Sequence, residues 1–279
     1  MKYSLLLLFF ISVNVKAQVL NFDKRFGESE NKWVAIKTGK DSAFNFGFIY
    51  IDPAAGFTLN YEGTFSILKD GTFIPAKKDS VSSVKIRLQP NQTRVALIPE
   101  SKFNDLKIKA EPDWLKYYKN DTVSAQGLYS RGYNFNGFNE CVRGLTYLER
   151  AQKIDPKIKG LAVELAYSYN CLNQFDKAVN VLQNAIEADT NNSYLYKELV
   201  YAQIHLGNLE NAVATTKKAL VECRDNTWKD EMCYNITHQF YTKKDKENFR
   251  YWAAETKKWL PANDKLAANL NAMESQMEK

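Results

Sequence analysis

The chain has 279 residues, 45% of them hydrophobic and 25% charged, with a formal net charge of +6. That is ordinary globular composition and excludes disordered, collagen-like and coiled-coil chains. With two histidines and four cysteines, a histidine-rich metal site or histidine-driven chemistry is not expected, and at roughly 100–200 residues per domain the length suits one or two domains.

Residues 1–17 read as an export signal. Lys2 supplies the positive start, Leu5 to Val15 the apolar stretch, and Val15-Lys16-Ala17 the small residues before a cleavage point ahead of Gln18. The apolar stretch is shorter than the ~20 residues that span a bilayer, and no cysteine follows it for lipid attachment. A soluble product outside the cytoplasm is expected, without stable membrane insertion. Its lysines are interleaved with acids and form no basic stripe. Nucleic acid is therefore not an expected partner.

Residues 18–110 alternate. Phe44, Phe46, Phe48 and Tyr50 put four aromatics on one side of an extended segment; Phe57, Leu59 and Tyr61 follow, then Phe65 and Ile67. Asp70-Gly71 is a hairpin signal. Val84, Ile86 and Leu88 alternate with Lys85 and Arg87, Pro90-Asn91-Gln92-Thr93 resembles a turn before Val95 to Ile98, and Leu106 and Ile108 alternate with lysines. These features predict a small antiparallel β-domain, a sandwich or open barrel. Its aromatic stripes fit a core face, and a glycan-binding face is the alternative. Glu111-Pro112-Asp113 opens a connector, residues 111–124, with a short helix over Trp114 to Tyr118.

From residue 125 a repeat begins. Gly144, Ala178 and Ala212 are spaced 34 apart, as are Ala151, Ala185 and Ala219, and Tyr133, Tyr167 and Tyr201. A 34-residue period with small residues at fixed positions resembles the tetratricopeptide repeat, a helix–turn–helix unit. The resemblance implies units 125–158, 159–192 and 193–226, a degenerate unit 230–263 three residues out of phase with Phe249 at its small position, and a terminal cap over 264–279. The predicted fold class is therefore α+β, a β-domain followed by an α-helical solenoid. Small residues let the two helices of a unit cross closely; Leu148, Leu165, Phe175, Leu182 and Leu199 fill the space between units, which cannot bury their apolar faces singly.

In that family the first helices line a concave groove that holds partner segments. The resemblance places Tyr133, Tyr167 and Tyr201 there, with His238 as their equivalent in the fourth unit. Asn136 and Asn170 follow three residues on, and Tyr129, Lys197, Tyr234 and Asn235 stand one turn earlier. A tyrosine ladder flanked by amides suits an extended peptide, since tyrosine is enriched at binding hot spots, or stacking on sugar rings. The lysine and asparagine clamp by which some members hold acidic chain ends is not in this sequence. The register also implies two disulfides, Cys141–Cys171 and Cys223–Cys233. No Cys-x-x-Cys, Gly-x-Ser-x-Gly, phosphate loop or His-Glu-x-x-His occurs. The expected function is a non-enzymatic interaction protein without cofactor or metal, holding a peptide or protein segment. Three triples, Asp41-Ser42-Ala43, Asp79-Ser80-Val81 and Asp121-Thr122-Val123, resemble an O-glycosylation motif of some Gram-negative exported proteins. With the export signal, the expected location is the periplasm or the cell exterior of a Gram-negative bacterium.

Overall fold

The computed structural model describes residues 20–39, 43–76, 84–118, 122–261 and 264–278. The export segment 1–17 and the Asp79-Ser80-Val81 triple lie outside them, as do Asp41, Ser42 and Asp121 of the other two triples. The chain divides into two compact units after Tyr118.

Among the described residues the first unit forms an antiparallel sheet of six strands: β1 (Lys32–Lys37), β2 (Phe44–Asp52), β3 (Gly56–Ile67), β4 (Phe73–Pro75), β5 (Val84–Arg87) and β6 (Ala96–Leu97). They run in the order β4-β3-β2-β1-β6, and β5 joins the free side of β3 along Thr58–Tyr61. The register of β2 against β3 shifts between Phe46 and Gly47. Gly47 is needed there, because a Cβ would stand 2.5 Å from the Asn60 carbonyl oxygen and 2.9 Å from Leu59 Cδ1.

Phe46, Phe48 and Tyr50 share one face and are buried with Trp33, Phe65 and Phe73. Opposite them, Ile49 and Ile51 pair with Leu59 and Phe57, and all four are buried too. Both faces of the sheet centre are therefore covered. The rings at the sheet centre that suggested a glycan face pack edge-on or stacked against one another, as Phe46 on Phe65 and Phe65 on Phe73 do, while Phe44 and Tyr61 of the same stripes are half-buried.

Two local expectations are corrected. Leu106 and Ile108 are not in a strand. Phe103–Leu106 forms one helical turn, α1, ended by Lys107 in the left-handed region at φ 56°; Asp105 Oδ2 accepts a hydrogen bond from the Phe73 amide at 3.0 Å and ties the turn to β4. In β5 the alternation does not bury its apolar side, since Val84 and Ile86 are exposed and only Leu88, just beyond the strand, is buried. Asp113–Tyr118 is a 3-10 helix that packs Trp114 against Phe48 and Tyr50.

The second unit holds nine helices among the described residues: α2 (Ala125–Gly137), α3 (Cys141–Ile154), α4 (Leu161–Cys171), α5 (Phe175–Ala188), α6 (Ser193–His205), α7 (Leu209–Glu222), α8 (Lys229–Thr242), α9 (Lys246–Trp259) and α10 (Lys265–Met277). Successive helices pack against each other as a solenoid of helix pairs. Side-chain caps start several of them: Ser124 on α2, Asn192 on α6, Asn208 on α7, Asp245 on α9 and Asp264 on α10. Within each pair the turn uses one left-handed residue, namely Asn139, Asn173, Gly207 and Lys244. The first three keep the 34-residue period.

The small positions lie where the two helices of a unit cross. Gly132 faces Leu148, and Ala178 and Ala212 are fully buried. The fourth unit falls out of phase because residues 223–228 join α7 to α8, whereas residues 189–192 suffice between α5 and α6, and because α8 is one residue longer than α6. Phe249 at its small position is buried against Ala253, Leu260 and the Leu270, Met273 and Met277 side of α10.

Candidate functional site

The first helices of neighbouring pairs, α2, α4, α6 and α8, pack directly on one another, while the second helices α3, α5, α7 and α9 make no comparable contact along the stack. Crowding on one side and spreading on the other curves a solenoid, and the first helices line its concave face. Tyr133, Tyr167, Tyr201 and His238 each stand four residues before the last residue of their helix. Tyr133, Tyr201 and His238 are exposed. Tyr167 is half-buried, and its hydroxyl donates to Asn139 Oδ1 at 2.6 Å.

Aromatic neighbours hold these rings. The Tyr129 and Tyr133 centroids are 6.4 Å apart, and the Tyr129 hydroxyl lies against Gly160. Tyr201 lies 4.0 Å from His205, and His205 lies 4.9 Å from Phe175. His238 is flanked by Tyr234 and Tyr241. Asn235 is half-buried on the same helix as His238.

Asn136 and Asn170 are elsewhere than expected. Both are buried, at 3% and 4% exposure, and bind one helix to the next. Asn136 Nδ2 donates to the Glu164 carbonyl at 2.9 Å and to Glu164 Oε2 at 2.8 Å. Asn170 Nδ2 does the same to Glu198, at 3.2 and 2.8 Å. The reason is geometric: three residues after an inward tyrosine, the side chain points at the neighbouring first helix. Glu164 and Glu198 themselves keep the 34-residue spacing, a signal that could have revealed the bridge.

Between α4, α6 and α8 the face deepens into a pocket of about 290 Å³, lined by Tyr167, Asn170, Cys171, Lys197, Glu198, Tyr201 and Glu231. Lys197 Nζ lies 2.9 Å from Glu198 and 3.8 Å from Glu231. Its ammonium also sits over the Tyr194 and Trp228 rings, at 4.5 and 4.6 Å. Burial raises the carboxyl pKa of Glu164 and of Glu231 above the usual range, and the nearby Glu198 charge adds to both shifts. The Tyr167 and Tyr194 hydroxyls are pushed up too, first by burial and then by Glu198. The negative charge of Glu198 is thus felt on all three helices.

The cysteines divide. Cys141, at the start of α3, is joined to Cys171, at the end of α4, with the Cα atoms 6.3 Å apart. Cys171 is exposed at the pocket. The expected Cys223–Cys233 bridge is absent; both are free, buried thiols. The repeat brings the start of a second helix to the end of the next first helix, and Cys141 and Cys171 occupy that meeting point. Cys223 and Cys233 sit at the opposite end of their unit, across the lengthened 223–228 loop. There the Cys223 thiol donates to the Asp225 carbonyl at 3.4 Å, and Cys233 is enclosed in the core beside Met232 and Ile236. Burial pushes the Cys233 thiol up to about 12.

Among the described residues no group of three or more His, Cys, Asp or Glu side chains gathers as a metal site, and no helix is long and apolar enough to cross a membrane.

No family model and no curated protein matches the chain. Solved structures similar to it include proteins described as tetratricopeptide-repeat proteins. MamA residues 41 to the end from Desulfovibrio magneticus RS-1 is 18% identical, covers 65% of this chain and 88% of its own, and has a TM-score of 0.43. A tetratricopeptide-repeat protein of Thermus thermophilus is 16% identical over 58% of this chain and 85% of its own, with a TM-score of 0.46. Another, from Parabacteroides merdae, is 12% identical over 64% and 63%, with a TM-score of 0.43. Likeness at this level assigns no function.

Proposed function

We propose that this is a non-enzymatic, exported interaction protein that holds an extended peptide or protein segment along the concave face of its helical unit. The observation that carries this reading is the run of Tyr133, Tyr167, Tyr201 and His238 at one position of four successive first helices, leading over the α4–α6–α8 pocket. Rings presented at a fixed interval on rigid helices lose little entropy on binding, the property that enriches tyrosine at hot spots. Most aromatic rings of the β unit's central strands, Phe46, Phe48, Tyr50, Phe65 and Phe73 among them, are committed to its own core, which favours the helical unit as the site.

The test is crosslinked capture from intact envelopes, comparing the native chain with a Tyr133→Ala, Tyr167→Ala, Tyr201→Ala variant whose circular dichroism matches the native. Loss of a partner by about tenfold or more is expected, the scale of losing a hot spot. Full retention of every partner would move the function off this face.

A further inference from the structure

The pocket between α4, α6 and α8 has an unbalanced set of charges in a chain that is otherwise basic. Both oxygens of Glu198 are engaged: Asn170 Nδ2 bonds its Oε2 and Lys197 pairs with its Oε1. Lys197 is correspondingly committed, held to Glu198 at 2.9 Å and enclosed by the Tyr194 and Trp228 rings, with 14% of its side chain exposed. Glu231 is left with that ammonium only at 3.8 Å and 37% of its side chain exposed. One carboxylate therefore faces the pocket with acceptor capacity to spare.

The rest of the lining accepts rather than donates. Asn170 is 4% exposed, lines the pocket, and its Oδ1 has no hydrogen-bond partner. Tyr167 and Tyr201 bring aromatic rings from successive helices, and a cation is attracted to the face of such a ring by about 0.5–2 kcal/mol. The chain already uses a cation over aromatic rings next door, where the Lys197 ammonium sits over Tyr194 and Trp228. At about 290 Å³ the space is at the lower edge of the ~300–1,000 Å³ typical of small-molecule sites. It has room for one long side chain.

Resting on the groove reading above, we propose that this pocket receives an arginine side chain of the bound segment, its guanidinium on the Glu231 carboxylate between the Tyr167 and Tyr201 rings. Arginine suits it better than lysine: a planar fork can stack on a ring and still give two parallel hydrogen bonds to one carboxylate. The segment recognised is then basic, and its attraction is local, since the net charge of the chain as a whole repels it.

The experiment titrates the full chain with three fluorescein-labelled alanine nonapeptides that carry arginine, glutamine or glutamate at every second position. The arginine peptide is expected to bind at least about tenfold more tightly than the glutamine peptide, the scale of a charge-assisted hydrogen bond. Glu231→Gln should remove that advantage without changing the unfolding midpoint, and Glu210→Gln, on the exposed side of α7, should not. Equal binding of the arginine and glutamine peptides, weakened by the three-tyrosine variant, would keep the groove as a peptide site and overturn the arginine assignment. Preference for the glutamate peptide would overturn it in favour of Lys197 as the anchor. Arginine-peptide binding untouched by Glu231→Gln would overturn it by placing the site elsewhere. Binding of none of the three would also overturn it, and the groove reading would be judged separately by the envelope crosslinking.

Discussion

At the first junction of the helical unit, Asn136 bonds Glu164 and its Oδ1 accepts a hydrogen bond from Ser168 Oγ at 2.8 Å. At the second junction, one period later, Asn170 bonds Glu198, but Ala202 stands where the serine would be and Asn170 Oδ1 has no donor. The same shift carries Cys141 and Cys171 onto Phe175 and His205. Where the first junction has a disulfide, the second has two rings 4.9 Å apart. The backbone period decides which positions meet. The side chains then decide whether the meeting is a lock or a site: the first junction is covalently closed and fully bonded, and the second opens into the pocket.

The largest effect is expected from the lock. A disulfide closing a loop of this length, with its cysteines 30 residues apart, stabilises by about 3–4 kcal/mol in the chain-entropy account. The Cys141→Ser, Cys171→Ser variant should lose about that much in urea unfolding followed by circular dichroism. Reductant should lower the native chain by the same amount and leave the variant unchanged, because Cys223 and Cys233 are unbridged. A further loss on reducing the variant would show that the second pair is bridged after all.

Next in size is the helix crossing of the first unit. A Cβ at Gly132 would meet the Leu148 side chain, with Cδ2 at 2.6 Å, and would stand 3.0 Å from the Gly144 carbonyl oxygen. In the second unit the same position already holds Ala166, fully buried, so its helices cross with room for a methyl. Overpacking of this kind costs about 1–3 kcal/mol, against up to ~1 kcal/mol gained by replacing a helical glycine with alanine. Gly132→Ala should therefore lower stability by about 1–2 kcal/mol. A gain instead would mean that the first crossing relaxes to the spacing of the second.

What could be read from the residues follows from this construction. A strict period is legible because it repeats the same burial problem: the tyrosine positions, the small residues and the Cys141–Cys171 pairing all come from one register. Cys223 and Cys233 fall outside that logic, since the 223–228 loop interrupts the period between them. Helical spacing sends Asn136 and Asn170 to the groove because it gives direction about the helix axis but not the neighbour that a side chain meets. Nothing in the period nominates Glu231, which stands outside the Glu164, Glu198 register; the pocket depends on where the longer loop delivers α8. In the β unit, alternation shows Phe44 to Tyr50 sharing a side, but not the register shift at Gly47 or the burial of the opposite face.

The smallest effect tests the comparison most directly, because it exchanges one atom between the two junctions. Ser168→Ala leaves Asn136 Oδ1 buried without a donor, and an orphaned buried polar group costs about 1–3 kcal/mol. Ala202→Ser offers Asn170 Oδ1 the donor it has no equivalent of. The new hydrogen bond is worth about 0.5–1.5 kcal/mol, reduced by the few tenths to ~0.5 kcal/mol by which serine is a poorer helix former than alanine. A net gain of about 0.5 kcal/mol is expected for Ala202→Ser, and a loss of about 1–2 kcal/mol for Ser168→Ala. Paired urea titrations on an otherwise native chain would show both. If Ala202→Ser is destabilising while Ser168→Ala costs as predicted, the second junction does not want the serine. Its amide oxygen is then served from the pocket side, and the difference between the junctions belongs to binding rather than to incomplete packing.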